Sequence, residues 1–375
     1  MSLMSELNAK AQRMGIPISV HLDITYRCNE RCEHCYLDHE DKGEMQTDEI
    51  KRILDQLAEA GVFFLVISGG EPLLRKDCFE IIRYARKKLF NVKLKTNAIL
   101  IGEPEARLLR ELSVEQVQIS VYSHRPEIHD GVTKVRGSLK RTLAAIHHLK
   151  AAGLKVTIAN VLMQRNRDDY LGVQRLAEEI GVLFTMDPTI TPMMDGGLDV
   201  LKLRVSGEDL VPLFTNPSLV NDVDEFCALP EPVTEEILDG TPCSAGHTAC
   251  YITPYADVFP CVQFPLPSGN LRRQTFKEIW YDSPELKEVR SIRERDLHTC
   301  TGCANQSTCS RCPGLAFTEG DMRGPSSADC DKSYIRTGIP SPRLKAAGKP
   351  TRKRLVQIQI AAVADPVPET AQAGD

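Results

Sequence analysis

The chain has 375 residues, 46 basic and 51 acidic side chains and a formal net charge of −5, a balance that gives no general pull toward nucleic acid or an anionic membrane. With 42% apolar and 26% charged residues it can bury a sizeable core, which excludes collagen, wholesale disorder and a simple coiled coil. The longest apolar runs, such as Val62 to Ile67, fall far short of the roughly 18 residues of a membrane-spanning helix, and residues 1–15 lack an apolar secretory core; a cytoplasmic protein is expected.

After this short N-terminal extension, strand-like and helix-like segments alternate from Ile18 to about residue 190. Ile18–Thr25 predicts a strand. Thr47–Ala60 predicts a helix with Thr47 as its cap, an apolar face of Ile50, Ile53, Leu54 and Leu57, and Gly61 as its stop. The continuous apolar run Val62–Ile67 predicts a buried parallel strand. Further helices are expected at Asp77–Leu89, Glu103–Leu112, Ser138–Ala152 and Asp168–Ile180, and strands at Val92–Thr96, Gln116–Val121, Lys155–Leu162 and Val182–Met186. Six strand–helix units in a row argue for an α/β fold with a parallel sheet. They are too few for a full eight-fold barrel, so a partial (β/α)6 barrel is expected over residues 16–190, with ligands at the C-terminal strand ends. Residues 191–240 read as a connector, residues 241–335 as a small Cys-rich domain, and residues 340–375 as a disordered tail with six basic residues between Arg343 and Arg354. An edge strand at Leu355–Val363 is a weaker alternative for part of that tail.

Thirteen cysteines in a reducing compartment argue against a disulfide framework. Eleven of them fall into two groups, which points to metal or iron–sulfur ligation. The first group, Cys28, Cys32 and Cys35, follows the first strand with spacing C-x3-C-x2-C. Three thiolates on one loop can hold three irons of a [4Fe–4S] cube and leave the fourth open, whereas electron-carrier clusters use four cysteines. An open position implies chemistry there, as at catalytic zinc. On spacing alone a zinc knuckle or unrelated buried thiols would also account for the triplet. The next strand, however, ends in Ser68-Gly69-Gly70-Glu71-Pro72. Its two glycines allow a close backbone approach to a ligand, and Glu71 offers a carboxylate to an ammonium group.

These paired motifs resemble the radical SAM superfamily, which carries C-x3-C-x-aromatic-C after its first strand and GGEP after its second. The resemblance covers about residues 16–190 and implies that S-adenosylmethionine chelates the open iron and is reductively cleaved. The resulting 5′-deoxyadenosyl radical would abstract hydrogen from a substrate; the cofactor carries that step and the protein orients it. By the same resemblance His34, where relatives have an aromatic residue, lies near the adenine. Gly69, Gly70 and Glu71 line the cofactor, Ser120 contacts its methionine part, and Arg136 holds its carboxylate. Thr96-Asn97 matches the family's Thr-Asn pair, with Ala98 in place of glycine.

The second group comprises Cys243, Cys250, Cys261, Cys300, Cys303, Cys309, Cys312 and Cys330. Eight thiolates suffice for two fully ligated [4Fe–4S] clusters. Two structural zincs are the alternative, but zinc ribbons separate their C-x2-C knuckles by roughly 12–20 residues, and only five separate Cys303 from Cys309. The spacing resembles the SPASM domain that follows many radical SAM barrels, over about residues 240–335. That resemblance implies auxiliary clusters held by Cys243, Cys250, Cys261 and Cys312, and by Cys300, Cys303, Cys309 and Cys330. Two departures are Ala256, where the family has glycine, and a cysteine run one residue short before Cys312. Cys78 and Cys227 match no ligand position, and Cys78 reads as a buried helix thiol.

Relatives of this class mostly modify peptides or proteins, and the stretch SHRPEIHDGVTKVRGS is similar to one in peptide maturases. The expected function is oxidative modification of a ribosomally made peptide or protein side chain. A tetrapyrrole-modifying enzyme, as in haem d1 or alternative haem synthesis, is the second reading, and a non-catalytic iron–sulfur electron carrier the third. Expected partners are a peptide or small-protein substrate, a separate leader-peptide-binding protein, and an electron donor such as flavodoxin or ferredoxin, with no nucleic acid or membrane.

Overall fold

The structure is a computed structural model that describes residues 3–220 and 222–352. The end of the basic tail and the strand considered at Leu355–Val363 lie outside the described residues. The chain divides into two compact units: residues up to 205 with 243–292 and 313–322, and residues 206–242 with 293–312 and those described after 322.

The first unit runs α1 Leu3–Met14, β1 Ser19–Asp23, α2 Thr47–Glu59, β2 Phe64–Ser68, α3 Cys78–Lys87, β3 Asn91–Thr96, α4 Glu103–Glu111, β4 Gln116–Ser120, α5 Pro126–Thr133, α6 Ser138–Ala151, β5 Val156–Val161, α7 Tyr170–Ile180 and β6 Leu183–Asp187. All six expected strands are present, each shifted by a residue or two. The helix at Pro126–Thr133 was not anticipated: Pro126 sits at its first turn, where its missing N–H costs nothing. Thr47 is the first residue of α2 rather than its cap; Glu49 takes the Gln46 backbone N–H at 2.8 Å, and the Thr47 hydroxyl donates to Asp77. The expected face Ile50, Ile53, Leu54 and Leu57 is buried and belongs to one apolar core with Val20, Leu22, Leu65, Ile67, Val92 and Leu94 from the strands.

Among the described residues nine strands form one sheet in the order β6-β5-β4-β3-β2-β1-β7-β8-β9. β1 to β6 are parallel to their neighbours. Three further strands, β7 Ala249–Ile252, β8 Asp257–Phe259 and β9 Gly269–Asn270, come from the segment expected to be a separate Cys-rich domain. β7 lies parallel to β1, with Ser19 opposite Ala249 and Leu22 opposite Ile252. The boundary expected near residue 241 therefore does not separate 243–292 from the sheet. An unpaired β1 edge is a row of open hydrogen-bonding groups, and β7 covers it.

Successive strand residues point to opposite faces. Val20 and Leu22 on β1, Leu94 on β3, Val117 and Ile119 on β4, and Ile252 on β7 enter the apolar core. The opposite face carries His21, Asp23, Lys95, Ser120 and Tyr251, so it is polar where a closed (β/α)8 barrel would be filled by branched apolar side chains.

The second unit has little regular structure: one-turn helices such as Val211–Phe214 and Glu235–Asp239, and an eleven-residue helix Ser327–Thr337. Ser326 caps that helix by accepting from the Asp329 N–H, and Gly338 ends it in a left-handed conformation. The tail expected from residue 340 is ordered as far as it is described. Pro342–Ala346 is helical with Leu344 buried, the Tyr334 hydroxyl donates to the Pro350 carbonyl at 2.9 Å, and the Arg352 guanidinium lies 4.6 Å from the Tyr334 ring centre. The apolar and cation–π contacts of Tyr334 overcome the disordering effect of the basic run.

Candidate active site

The loop after β1 carries Cys28, Cys32 and Cys35, and several elements of the first unit brace it. The Arg31 and Glu33 N–H groups donate to the carbonyls of Thr133 and Val132 at the end of α5, at 3.0 and 3.1 Å. The Glu33 carboxylate takes Arg165 at 2.7 Å and Lys134 at 3.2 Å. The stretch around Pro126–Thr133 thus has a structural task here, that of clamping the cysteine loop. Upstream, buried Glu44 accepts from the Thr25 hydroxyl at 2.8 Å and the Tyr26 N–H at 2.7 Å, and Arg75 donates to the Ile24 and Met45 carbonyls.

Gly69 and Gly70 are needed because two backbones meet. A Cβ on Gly69, whose φ is +141°, would lie 2.1 Å from the Thr25 carbonyl oxygen, and one on Gly70 would lie 2.4 Å from that of Arg27. This close approach, expected toward a ligand, is made first to the chain's own cysteine loop. The Gly70 and Glu71 N–H groups donate to the Thr25 and Arg27 carbonyls, both at 2.8 Å. Glu71 is placed otherwise than expected. It is fully buried and takes the Thr96 hydroxyl at 2.8 Å, the Asn97 N–H at 2.9 Å and the Leu73 N–H at 3.1 Å. It does not reach the cavity wall; its carboxylate ties the end of β2 to that of β3, because three donors there leave it satisfied inside. Burial still pushes it up to about 7.

The loops at the C-terminal strand ends enclose a cavity of about 310 Å³. Cys28, Cys32, Cys35, His34, Gly69, Gly70, Asn97, Ser120 and Asp187 line it. Arg136 does not: it is exposed, beside the left-handed Gly137, and is not placed to hold a carboxylate in this space. His34 stands edge-on to Tyr122, with ring centres 4.9 Å apart, and burial pulls it down to about 4. Its Nδ1 and the Oε1 of Glu30 are buried with no hydrogen-bond partner among the described residues. Unsatisfied buried polar atoms facing a cavity are what a bound polar molecule would satisfy. Glu30 was missed in the sequence; it sits beside Cys32, 3.5 Å from its Sγ, and burial raises it to about 7. Tyr122, also missed, donates toward Cys32 at 3.8 Å and hydrogen-bonds Ser120. Burial raises all three thiols, Cys28 to about 12, so their ionisation needs nearby positive charge such as iron. No three His, Cys, Asp or Glu among the described residues converge on one point as a single ion requires; the thiols face a shared space, as ligands to separate irons do.

Behind the His21 and Lys95 wall of the cavity lies a polar layer that sequence reasoning passed over. The fully buried Asp23 accepts from the Tyr251 hydroxyl at 2.7 Å and contacts His21 Nε2 at 3.1 Å. Tyr251 also meets the Tyr26 hydroxyl at 2.7 Å. Lys95 lines the same wall. The signal was present: HLD on β1 and KLK on β3 alternate polar and apolar residues, a pattern ordinarily read as a solvent face.

Of the second cysteine group, Cys243 and Cys261 border one apolar cluster with Phe264 in the first unit, and Cys250 is buried on β7. In the second unit, Cys300, Cys303, Cys309 and Cys330 line a single small cavity, which Cys312 does not. The Ser333 and Ser341 hydroxyls hydrogen-bond Cys309 and Cys330. Arg311 and Arg343 also line this cavity, so part of the expected tail forms its wall. Placement of Cys312 with Cys243, Cys250 and Cys261 rests on the resemblance alone. Cys78 and Cys227 are buried away from both cavities. Ala98 and Ala256, which replace family glycines, have φ of +64° and +70°, the left-handed region that favours glycine.

The radical SAM superfamily profile matches residues 22–177, and that of SPASM, an iron–sulfur cluster-binding domain, matches residues 243–313. The AdoMet-dependent heme synthase of Methanosarcina barkeri is 27% identical over 323 residues, 80% of this chain and 92% of that protein. The mycofactocin maturase MftC of Mycobacterium ulcerans is 29% identical over 339 residues, 86% and 89% of the two chains. The crystal structure of Streptococcus suis SuiB bound to S-adenosylmethionine shares the fold, with a TM-score of 0.69 at 20% identity over 86% of this chain and 80% of that one. Residues 22–177 therefore carry a radical SAM domain and residues 243–313 a SPASM iron–sulfur cluster-binding domain, the domains of an enzyme that uses a [4Fe–4S] cluster and S-adenosylmethionine for radical-based modification.

Proposed function

We propose that this enzyme oxidatively modifies a ribosomally made peptide or protein side chain. The observation that carries the reading is the 29% identity to mycofactocin maturases over most of both chains, joined to a cavity in which the open-site triplet and the segment after Cys261 face one space. In this reading Cys28, Cys32 and Cys35 hold the catalytic cluster, and His34, Gly69, Gly70 and Ser120 border S-adenosylmethionine. Cys300, Cys303, Cys309 and Cys330 hold one auxiliary cluster, and Cys243, Cys250 and Cys261 contribute to another. The bound cluster and cofactor supply the hydrogen-abstracting radical. The chain's own residues orient the cofactor, clamp the loop through α5 and shield the cavity. The reading calls for a reducing cytoplasm, an electron donor such as flavodoxin or ferredoxin, and a separate leader-binding protein.

The test is to incubate reconstituted enzyme, S-adenosylmethionine and reductant with short peptides encoded beside its gene. A mass change of the peptide that requires Cys28, Cys32 and Cys35 is expected; deoxyadenosine formation with no change in any such peptide would refute it. The 27% identity to heme synthases over 80% of the chain favours a second reading, a tetrapyrrole substrate, which predicts turnover of a porphyrin and none of a peptide.

A further inference from the structure

The cavity that holds the cysteine triplet is also lined by a lysine, Lys95, that no described residue pairs. Lys95 lies on β3 one position out of step with Val92 and Leu94, which face the core, so its side chain enters the barrel interior and lines the cavity. It is partly buried, yet among the described residues it has no hydrogen bond or ion pair. The nearby acids are already engaged: Asp23 accepts from Tyr251 and contacts His21, and Asp187 accepts the Thr189 N–H at 2.8 Å. A partly desolvated ammonium without partners is unfavourable, and desolvation pulls Lys95 below its usual range. A structural role would have provided it with a carboxylate; a binding role leaves it open. It shares the cavity wall with Cys28, Cys32 and Cys35 and with Val262 and Gln263, the residues that follow Cys261, so a substrate in this cavity lies within reach of it.

We propose that Lys95 is the anchor of a substrate subsite for a carboxylate, with Asp23, His21 and Tyr251 as the frame that keeps its ammonium pointed into the cavity. The inference rests on the peptide reading in one respect: the carboxylate belongs to the peptide, at its C-terminus or on an acidic side chain. Lysine suits this task as a compact charge that a single anion can neutralise.

The test uses the reconstituted holoenzyme and two small probes, propionate and its neutral isostere propionamide. The reduced, paramagnetic cluster at Cys28, Cys32 and Cys35 broadens the NMR signals of a molecule held nearby. Broadening of propionate and little of propionamide is expected in the wild type. Lys95→Met should weaken propionate binding by about tenfold or more, the scale of a lost hydrogen bond to a charged group, while Lys95→Arg retains it. Equal broadening of both probes by the wild type overturns the proposal and needs no variant to fold; so does a Lys95→Met enzyme with full iron that binds propionate like the wild type. The peptide arm separates the two readings. If a co-encoded peptide is modified and Lys95→Met leaves its KM unchanged, the subsite falls and the peptide reading stands. If propionate binds through Lys95 and only a porphyrin is turned over, the subsite stands and the peptide reading falls.

Discussion

Gly70→Ala should disable the catalytic cluster while leaving the rest of the enzyme intact. The added Cβ would sit 2.4 Å from the Arg27 carbonyl oxygen, 2.7 Å from that of Tyr26 and 2.8 Å from the Arg27 carbonyl carbon. All three are backbone atoms, so no side chain can swing away. An ordinary contact needs the two backbones to part by roughly 1 Å. That displacement stretches the two 2.8 Å bonds from Gly70 and Glu71 to Thr25 and Arg27 out of hydrogen-bonding range. Together with the overlap this costs about 2–4 kcal/mol. Cys28 is the next residue after Arg27, and ligand positions tolerate only about 0.2 Å. The variant should therefore lose about four of about twelve irons and about a hundredfold in deoxyadenosine formation. Anaerobic reconstitution, iron and sulfide counts and a thermal melt would measure this. Gly131→Ala is the control, because its Cβ meets only Arg165 at an ordinary 3.7 Å within a helix. A Gly70→Ala enzyme with a full iron load and cleavage within about twofold of wild type would refute the steric argument.

Four further outcomes are expected. Replacing Cys28, Cys32 and Cys35 together with Ala should remove about four irons and abolish deoxyadenosine formation; elemental analysis showing stoichiometric zinc in the untouched protein would defeat the cluster reading. Cys309→Ala or Cys330→Ala should cut product formation steeply while S-adenosylmethionine cleavage persists, measured on one soluble sample; equal loss of both at intact triplet loading would refute the division. Ser341→Ala removes a hydroxyl that bonds Cys330 and should shift the potential of the cluster held there, with iron content unchanged, in a redox titration followed by EPR. Burial pulls His129 down to about 4 from an unfolded value near 6.5, so the unfolded chain binds the extra proton between those pH values. Stability is then complete above about pH 6.5 and falls as pH drops, by about 1.4 kcal/mol at about pH 5.5; denaturant melts should show the slope in wild type and its loss in His129→Gln.

The strand–helix alternation was legible because parallel strands and amphipathic helices write their periods directly into neighbouring residues. The triplet was legible for a related reason: three ligands on one short loop are close in sequence as well as in space. The parts that sequence reading misplaced are those decided by distant partners. Glu71 turns inward because Thr96 and Asn97, on the next strand, supply donors. Arg136 stays outside because the turn at Gly137 directs it there. Ser341 and Arg343 join a cavity wall because Leu344 and Tyr334 pack, which outweighs the charge pattern of the run. Lys95 was hidden by an ambiguity of alternation itself: the same polar–apolar rhythm describes a face toward water and a face toward an internal cavity. The two alanines with left-handed backbone show the reverse case, in which a departure from the family pattern marked a conformation that the structure retains.

The pairing of β1 with β7 sets a timetable for making this protein. Ser19 must wait for Ala249, some 230 positions later in the chain, before its outer edge is filled. During synthesis β1 to β6 can assemble while that edge stays bare beside the cysteine loop. Contacts of such long sequence separation form slowly, and an open parallel edge invites pairing with another nascent chain. A chain stopped before residue 249 should for this reason precipitate as it is made, and iron delivered before β7 docks would meet a loop whose supporting strand is still half-paired.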